Sequence, residues 1–221
     1  MTRVKICGVT TRADLETVAD AGADAVGIIC DVTVDTPREV SLERARDLIE
    51  AAPPFVTTVL VTMATDPERT IELVETATPD AIQLHGEVDR DAIDSLRAAT
   101  GVTILLAADA EDLADADRYD DLVDGLVVDS TDEDGAGGTG ETHDWERTRT
   151  AATHLESPVI LAGGLEPDNV ADAIRAAEPF AVDVSSGVEA EEGRKDPDAV
   201  HSFVARAGRA TTVEPEVSPS P

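Results

Sequence analysis

The chain is poor in lysine, aromatic residues and cysteine. Of its 17 basic residues only Lys5 and Lys195 are lysines, and aromatic residues make up 2% of the 221 residues. Two cysteines, Cys7 and Cys30, do not form the disulfide framework of a small secreted domain. No apolar run reaches the roughly 18 residues that a membrane-spanning helix needs, and no targeting signal is recognisable. These absences predict a cytoplasmic protein.

The acidic excess excludes some partners and indicates one environment. With 47 acidic residues the formal net charge is -30. Such a charge repels phosphate backbones and anionic lipid, so we expect no nucleic acid and no membrane as partner. In molar salt, where the Debye length falls to about 3 Å, repulsion between surface carboxylates is screened. A hydrophobic content of 42% argues against a disordered acidic chain. The composition therefore predicts a folded protein of a halophilic cytosol.

Short β-branched segments alternate with acid-rich and alanine-rich helical segments along the chain. Eight strands are predicted, at 4–7, 25–29, 55–61, 81–84, 102–106, 125–129, 158–162 and 180–184. Eight helices are predicted, at 11–21, 41–52, 66–78, 88–99, 111–118, 144–155, 167–177 and 196–207. The alternation predicts an α/β fold, a single (β/α)8 TIM barrel over 1–209, with an open doubly wound sheet as the alternative. Residues 210–221, with three prolines, are predicted to be a disordered tail.

Polar residues at the strand ends are the candidate site residues, because barrel active sites lie at the C-terminal face. They are Cys7, Gln83, His85, Asp129 and Asp183. The glycine-rich and serine-rich segments AGGLEPDN (162–169) and DVSSGVE (183–189) follow the last two strands, where barrels often bind phosphate. The four histidines show no paired spacing, so no metal is expected.

Cys7 and Asp129 have the properties of a base and an acid. Lys5 and Cys7 share a strand face, where the ammonium is expected to lower the thiol pKa. Asp129 ends an apolar strand, where partial desolvation is expected to raise its pKa, and a glycine-rich flap (135–145) follows it. A structural thiol and a helix-capping or salt-bridged carboxylate are the alternatives. Cys30, without polar neighbours on its face, is interpreted as core packing.

Six motifs in register resemble the phosphoribosylanthranilate isomerase family over about residues 2–207. They are KICGVT (5–10), TPR (36–38), IQLHG (82–86), VVDS with GGTGETHDW, LAGGLEPDNV, and VDVSSGVE with GRKD. The chain also departs from the family pattern: Glu141 stands where the flap commonly has lysine, and IICDVTVD after strand 2 lacks aromatic residues.

The resemblance implies an Amadori rearrangement of N-(5-phosphoribosyl)anthranilate that needs no cofactor. It implies that Cys7 is the general base, that Asp129 is the general acid and that Arg38 pairs with the anthranilate carboxylate. Gln83, His85 and Asp183 are predicted to bind the substrate. The predicted phosphate-binding residues are Gly163, Gly164, Ser185, Ser186 and Gly187.

Related phosphate-binding barrels fit the sequence less well. An indole-glycerol-phosphate synthase would need catalytic lysines and an extra N-terminal helix, and a sugar-phosphate epimerase would need metal-binding His and Asp at the strand ends. A non-catalytic or differently specific sugar-phosphate-binding barrel stays open, because a fold does not by itself imply turnover. The sequence also does not choose between a monomer and a homodimer.

Stability should depend strongly on salt because of the charge of -30. We expect the Tm to rise from dilute buffer to molar KCl, since the Debye length shortens from about 30 Å at 0.01 M to about 3 Å at 1 M. Thermal unfolding followed by circular dichroism measures this. A Tm that is the same at low and molar KCl would contradict the halophilic interpretation.

Overall fold

Eight parallel strands pair in sequence order and close into a barrel in the computed structural model, which describes residues 1–110, 116, 118–129 and 145–210. Strands β1–β8 are Arg3–Ile6, Ala25–Ile29, Thr57–Thr62, Ala81–Leu84, Thr103–Asp109, Gly125–Asp129, Val159–Leu161 and Ala181–Val184. Helices α1–α7 are Arg12–Asp20, Leu42–Ala51, Pro67–Ala77, Arg90–Thr100, Trp145–Ala152, Val170–Ala177 and Pro197–Ala210. The predicted (β/α)8 barrel is confirmed.

Several predicted helix limits differ from the observed ones. Helix α6 begins at Val170 rather than 167, because the Asn169 side chain accepts the Glu166 N–H at 2.9 Å and donates to the Gly164 carbonyl at 2.8 Å, which holds a turn there. Helix α7 includes Ala210, the first residue of the predicted tail, and that residue is buried. Most of the predicted helix 111–118, the flap residues 135–144 and residues 211–221 lie outside the described residues.

A hairpin after β8 was not predicted. A short 3-10 turn, Ser186–Val188, leads into the antiparallel strands β9 (Glu189–Glu191) and β10 (Arg194–Lys195). Its strands contain Glu, Ala, Arg and Lys, which are not strand-favouring residues, so the sequence carries no strand signal there.

The strands bury both faces, as expected for a parallel barrel. On β1, Val4 and Ile6 pack in the cluster that includes α1, α6 and α7, whereas Lys5 and Cys7 face the other way. Cys7 joins Val59, Val61, Leu105 and Val127 in a cluster contributed by the strands. Alternation along β1 therefore directs Lys5 and Cys7 towards the barrel axis, in agreement with the shared face predicted for them.

Three aspartates form hydrogen bonds between neighbouring strands at the N-terminal end of the barrel, opposite the predicted site. Each directly precedes an even-numbered strand, β2, β4 or β6, and accepts a backbone N–H of the preceding strand at 2.8 Å. The acceptors are Asp24, Asp80 and Asp124, and the donors are Val4, Thr58 and Ile104. The acidic composition thus supplies structural hydrogen bonds as well as surface charge.

Asp80→Ala should destabilise the fold. The Asp80 carboxylate accepts hydrogen bonds from the Thr58 N–H and hydroxyl, both at 2.8 Å. Hydrogen bonds to a charged group contribute about 1.5–3 kcal/mol, and in a chain of this size about 1 kcal/mol shifts the Tm by about 2–4 °C. The control is Asp89→Ala, which removes the same charge from a helix N-cap without a side-chain hydrogen bond. Equal Tm values for the two variants in molar KCl would contradict this role.

Candidate active site

One cavity of about 360 Å³ is lined by residues at the C-terminal ends of the strands. Its walls include apolar side chains, among them Ile29, Val32, Val34, Val61 and Met63. All of the site residues predicted from the sequence also line it: Cys7, Arg38, Gln83, His85, Asp129, Gly163, Gly164, Asp183, Ser185, Ser186 and Gly187. The structure therefore brings the eleven candidates together, while their chemical roles stay predictions.

The candidate base and acid reach this cavity from distant strands of the barrel. Cys7 follows β1 directly, and its N–H donates to the Val184 carbonyl of β8 at 2.8 Å. Asp129 is the last residue of β6. The thiol occupies space left by Gly27 of β2, where an added Cβ would lie 2.7 Å from the Cys7 Sγ. A larger residue at position 27 would force the thiol to move.

A buried ion pair lies beside Cys7. The Lys5 Nζ donates to the Asp183 Oδ2 at 2.6 Å, and the two residues are only 3% and 7% exposed. They are register partners in the pairing of β1 with β8. Burial lowers the pKa of Lys5, but the negative charge of Asp183, together with the hydrogen bonds to Asp183 and Cys7, outweighs burial, so the net shift of this pKa is upward. Lys5 therefore keeps its proton.

The predicted direction of the Cys7 pKa shift is wrong. Burial raises the pKa of the Cys7 thiol, and this effect exceeds the lowering by the positive charge of Lys5. The charge of Asp183, which spacing along β1 could not reveal, raises the pKa further. Without a ligand, the thiolate is therefore a minor species at neutral pH. A thiolate of raised pKa is also a stronger base once it forms.

The loops after β7 and β8 approach each other closely. Gly163 and Gly164 have left-handed φ angles of 85° and 58°. A Cβ on Gly187 would clash with the carbonyl oxygen of Leu165, so only glycine fits between the two loops. The Ser185 hydroxyl donates to the Cys7 carbonyl at 3.3 Å. This arrangement brings the backbone of both loops to one side of the cavity.

Two buried acceptors at the cavity lack partners within the described part of the chain. They are the Gln83 Oε1 and the Asp183 Oδ1, the second oxygen of the carboxylate that pairs with Lys5. Buried polar atoms are rarely left without a hydrogen bond, because desolvation without a partner is costly. These acceptors are suited to hydroxyl or N–H donors of a bound ligand.

A second charged group was missed by the sequence analysis. The Glu189 carboxylate of β9 accepts from the Arg38 Nε and Nη2 at 2.9 and 2.8 Å, and from the Lys195 Nζ at 2.9 Å. Burial acts to raise the pKa of Glu189, but the hydrogen bonds and charges of Arg38 and Lys195 outweigh it, so this pKa is lowered. The sequence feature that could have drawn attention to this group is the rarity of lysine. The chain has only two lysines, and the structure buries both of them.

Residues 1–110, 116, 118–129 and 145–210 contain neither a candidate metal-binding group nor a membrane-spanning helix. Within them, no three or more His, Cys, Asp or Glu side chains are grouped so that they could hold a metal ion. The helices described there include none that combines the length and apolar character needed to cross a membrane. Glu141 of the predicted flap lies outside these residues.

The barrel and its cavity define the class: a (β/α)8 barrel with a candidate ligand site at the C-terminal face of the strands. Within that class, a family model described as N-(5'-phosphoribosyl)anthranilate (PRA) isomerase matches residues 4–206. A curated protein named N-(5'-phosphoribosyl)anthranilate isomerase, from Halorubrum lacusprofundi, is 60% identical over 209 residues, which cover 95% of this chain and 98% of that protein. The chain belongs to the PRA isomerase family.

Solved structures agree with this assignment. The phosphoribosyl anthranilate isomerase of Thermotoga maritima has a TM-score of 0.85 and 34% identity, covering 95% of this chain and all of that one. A PRA isomerase in complex with reduced 1-(o-carboxyphenylamino)-1-deoxyribulose 5-phosphate has a TM-score of 0.82 and 32% identity over 95% of this chain and 100% of that one. The similar sequences from halophilic archaea support the halophilic origin predicted from composition.

Proposed function

We propose that the protein isomerises N-(5'-phosphoribosyl)anthranilate to 1-(2-carboxyphenylamino)-1-deoxyribulose 5-phosphate, a step of tryptophan biosynthesis. Family membership supports the reaction. The observation that carries the proposal is that Cys7 and Asp129 line the same cavity as the loops after β7 and β8. The reaction is an internal redox exchange between two sugar carbons, so it requires no cofactor.

The first step is opening of the sugar ring. Asp129 donates a proton to the furanose ring oxygen, the bond between this oxygen and C1 breaks, and the nitrogen lone pair forms a C1–N double bond. The product is an open-chain iminium ion with a new hydroxyl group. Asp129 is the last residue of β6 and lines the cavity, so its carboxyl can reach a bound sugar.

The second step is removal of the C2 proton. The Cys7 thiolate takes this proton, the electron pair of the C–H bond forms a C1–C2 double bond, and the iminium nitrogen regains its lone pair. The resulting enolamine then gains a proton at C1 and loses the C2 hydroxyl proton, which yields the ketone. The cationic iminium makes the C2 proton acidic at the moment when the thiolate acts.

Substrate binding divides between the two ends of the cavity. Arg38, the only arginine or lysine among the described residues that line the cavity, would bind the anthranilate carboxylate. The loops with Gly163, Gly164 and Ser185–Gly187 would bind the phosphate through backbone N–H groups. The unpartnered oxygens of Gln83 and Asp183 would accept hydrogen bonds from ligand donors. A barrel that binds sugar phosphate without turnover is the alternative.

Cys7→Ala and Asp129→Ala should each lower kcat by at least about 100-fold, because a general acid or base contributes about 10²–10⁴-fold. The measurement is the loss of phosphoribosylanthranilate fluorescence in molar KCl. If the native chain bound the substrate without converting it, the non-catalytic alternative would hold.

Cys30→Ser is the matched thiol control. Cys30 is buried in a different cluster, with Ala45, Leu48 and Leu60, and does not line the cavity. We expect a kcat close to that of the native chain. A loss in Cys30→Ser as large as the loss in Cys7→Ala would show that the thiol assignment is wrong, and near-native rates for either alanine variant would remove that residue from the mechanism.

A further inference from the structure

Glu189 forms a buried bridge between two cationic side chains. Its side chain is 4% exposed, and its carboxylate is the common partner of Arg38 and Lys195. Two parallel N–H groups of Arg38 contact it, at 2.9 and 2.8 Å, which is the fork geometry that fixes a guanidinium in orientation as well as in place. Arg38 therefore has a defined rotamer before any ligand binds.

The bridge leaves part of Arg38 available to a ligand. A guanidinium has five N–H donors, and Glu189 takes one on Nε and one on Nη2. Both donors on Nη1 and the second on Nη2 remain outside this pair. Arg38 lines the cavity, so a ligand carboxylate bound there would pair with these remaining donors. Glu189 thus occupies one edge of the guanidinium and leaves another for recognition.

The surrounding backbone restricts where Arg38 can go. A Cβ on Gly8 would lie 3.0 Å from the Arg38 Cδ, so the arginine stem runs directly over the Gly8 backbone. On the other side, a Cβ on Gly193 of the β9–β10 turn would lie 2.7 Å from the Pro37 carbonyl oxygen. The hairpin that carries Glu189 therefore packs against the segment that carries Arg38.

Competing carboxylates make a fixed partner necessary. Asp35 and Glu192 also line the cavity, in a chain with a net charge of -30. An arginine without a dedicated partner could pair with either of these acids and would then be unavailable to bind the ligand. Glu189 also has a second cationic partner, Lys195, which donates to it at 2.9 Å, so the carboxylate that holds Arg38 is itself held in place.

The same carboxylate connects to the other end of the site. The Lys195 Nζ, which is fully buried, donates to Glu189 and also to the Ser185 carbonyl at 3.0 Å. Ser185 belongs to the loop after β8 that is proposed to bind phosphate. Glu189 thereby joins the carboxylate end of the cavity to the phosphate end through one chain of hydrogen bonds.

We propose that Glu189 is the positioning residue that orients Arg38 towards the carboxylate of the substrate, and so determines the preference for N-aryl substrates that carry a carboxylate beside the amine. This inference rests on the proposed function. Glu189 does not touch the substrate; it acts through Arg38.

A pair of ligands tests this role. One is reduced 1-(o-carboxyphenylamino)-1-deoxyribulose 5-phosphate, and the other is the same compound without the ring carboxylate. Binding of each is measured by calorimetry in molar KCl. In Glu189→Gln the Kd of the carboxylated ligand should rise about tenfold or more, whereas the Kd of the other should change less than about threefold, since only the first needs an oriented Arg38. An equal rise for both ligands would indicate a merely structural role and overturn the inference.

Glu191→Gln is the matched control, because Glu191 lies in the same strand, is exposed and loses the same charge. It should leave both Kd values unchanged. If Glu189→Gln does not fold, Glu189→Asp takes its place. This variant keeps the charge beside Lys195 but shortens the side chain, and it should give the same selective loss. In an Arg38→Met background, Glu189→Gln should cause no further loss of selectivity, and an additive loss would overturn the inference.

The outcomes separate this inference from the proposed function. Suppose that the native chain turns over the substrate and prefers the carboxylated ligand, and that the Glu189→Gln variant keeps this preference. This result would overturn only the role of Glu189. A native chain that shows neither turnover nor preference for the carboxylated ligand would overturn the proposed function as well.

Discussion

The closure of the barrel between its first and last strands is the constraint on which the candidate site depends. The register of β1 with β8 pairs Lys5 with Asp183 and places the Cys7 N–H on the Val184 carbonyl. The turn and hairpin that follow β8 then supply the loop that we propose to bind phosphate, together with Glu189 and Lys195. Residues 178 positions apart in sequence, Lys5 with Asp183 and Cys7 with Ser185, are thereby held within hydrogen-bond distance of each other.

The two lysines of this acidic chain both lie next to residues that line the cavity. All other basic residues are arginines, yet both lysines are buried and each is paired with a carboxylate. A buried ion pair adds little net stability, because desolvation of the two charges offsets their attraction. Stability alone therefore does not account for these pairs. Their positions, one beside Cys7 and one beside Ser185 and Glu189, indicate that they set the electrostatics of the cavity.

Local sequence pattern was sufficient to predict the barrel and to select candidate residues that line one cavity. Strand periodicity and the location of polar residues at strand ends identified Cys7, Gln83 and Asp129 as neighbours in space, and the cavity contains all three. The pKa of Cys7 could not be predicted, because it depends on burial and on Asp183, whose approach is set by barrel closure. Glu189 was missed because its hairpin lacks strand-favouring residues and its partners are distant in sequence.

The titration of Cys7 tests most directly whether barrel closure sets the electrostatics of the site. In Cys30→Ser, the only thiol left is Cys7, and its ionisation can be followed by thiolate absorbance in molar KCl. We predict a midpoint above the ordinary thiol value of about 8.5, and a still higher midpoint when Lys5→Met removes the nearby positive charge. A midpoint at or below about 8.5, or one that Lys5→Met does not change, would contradict the account.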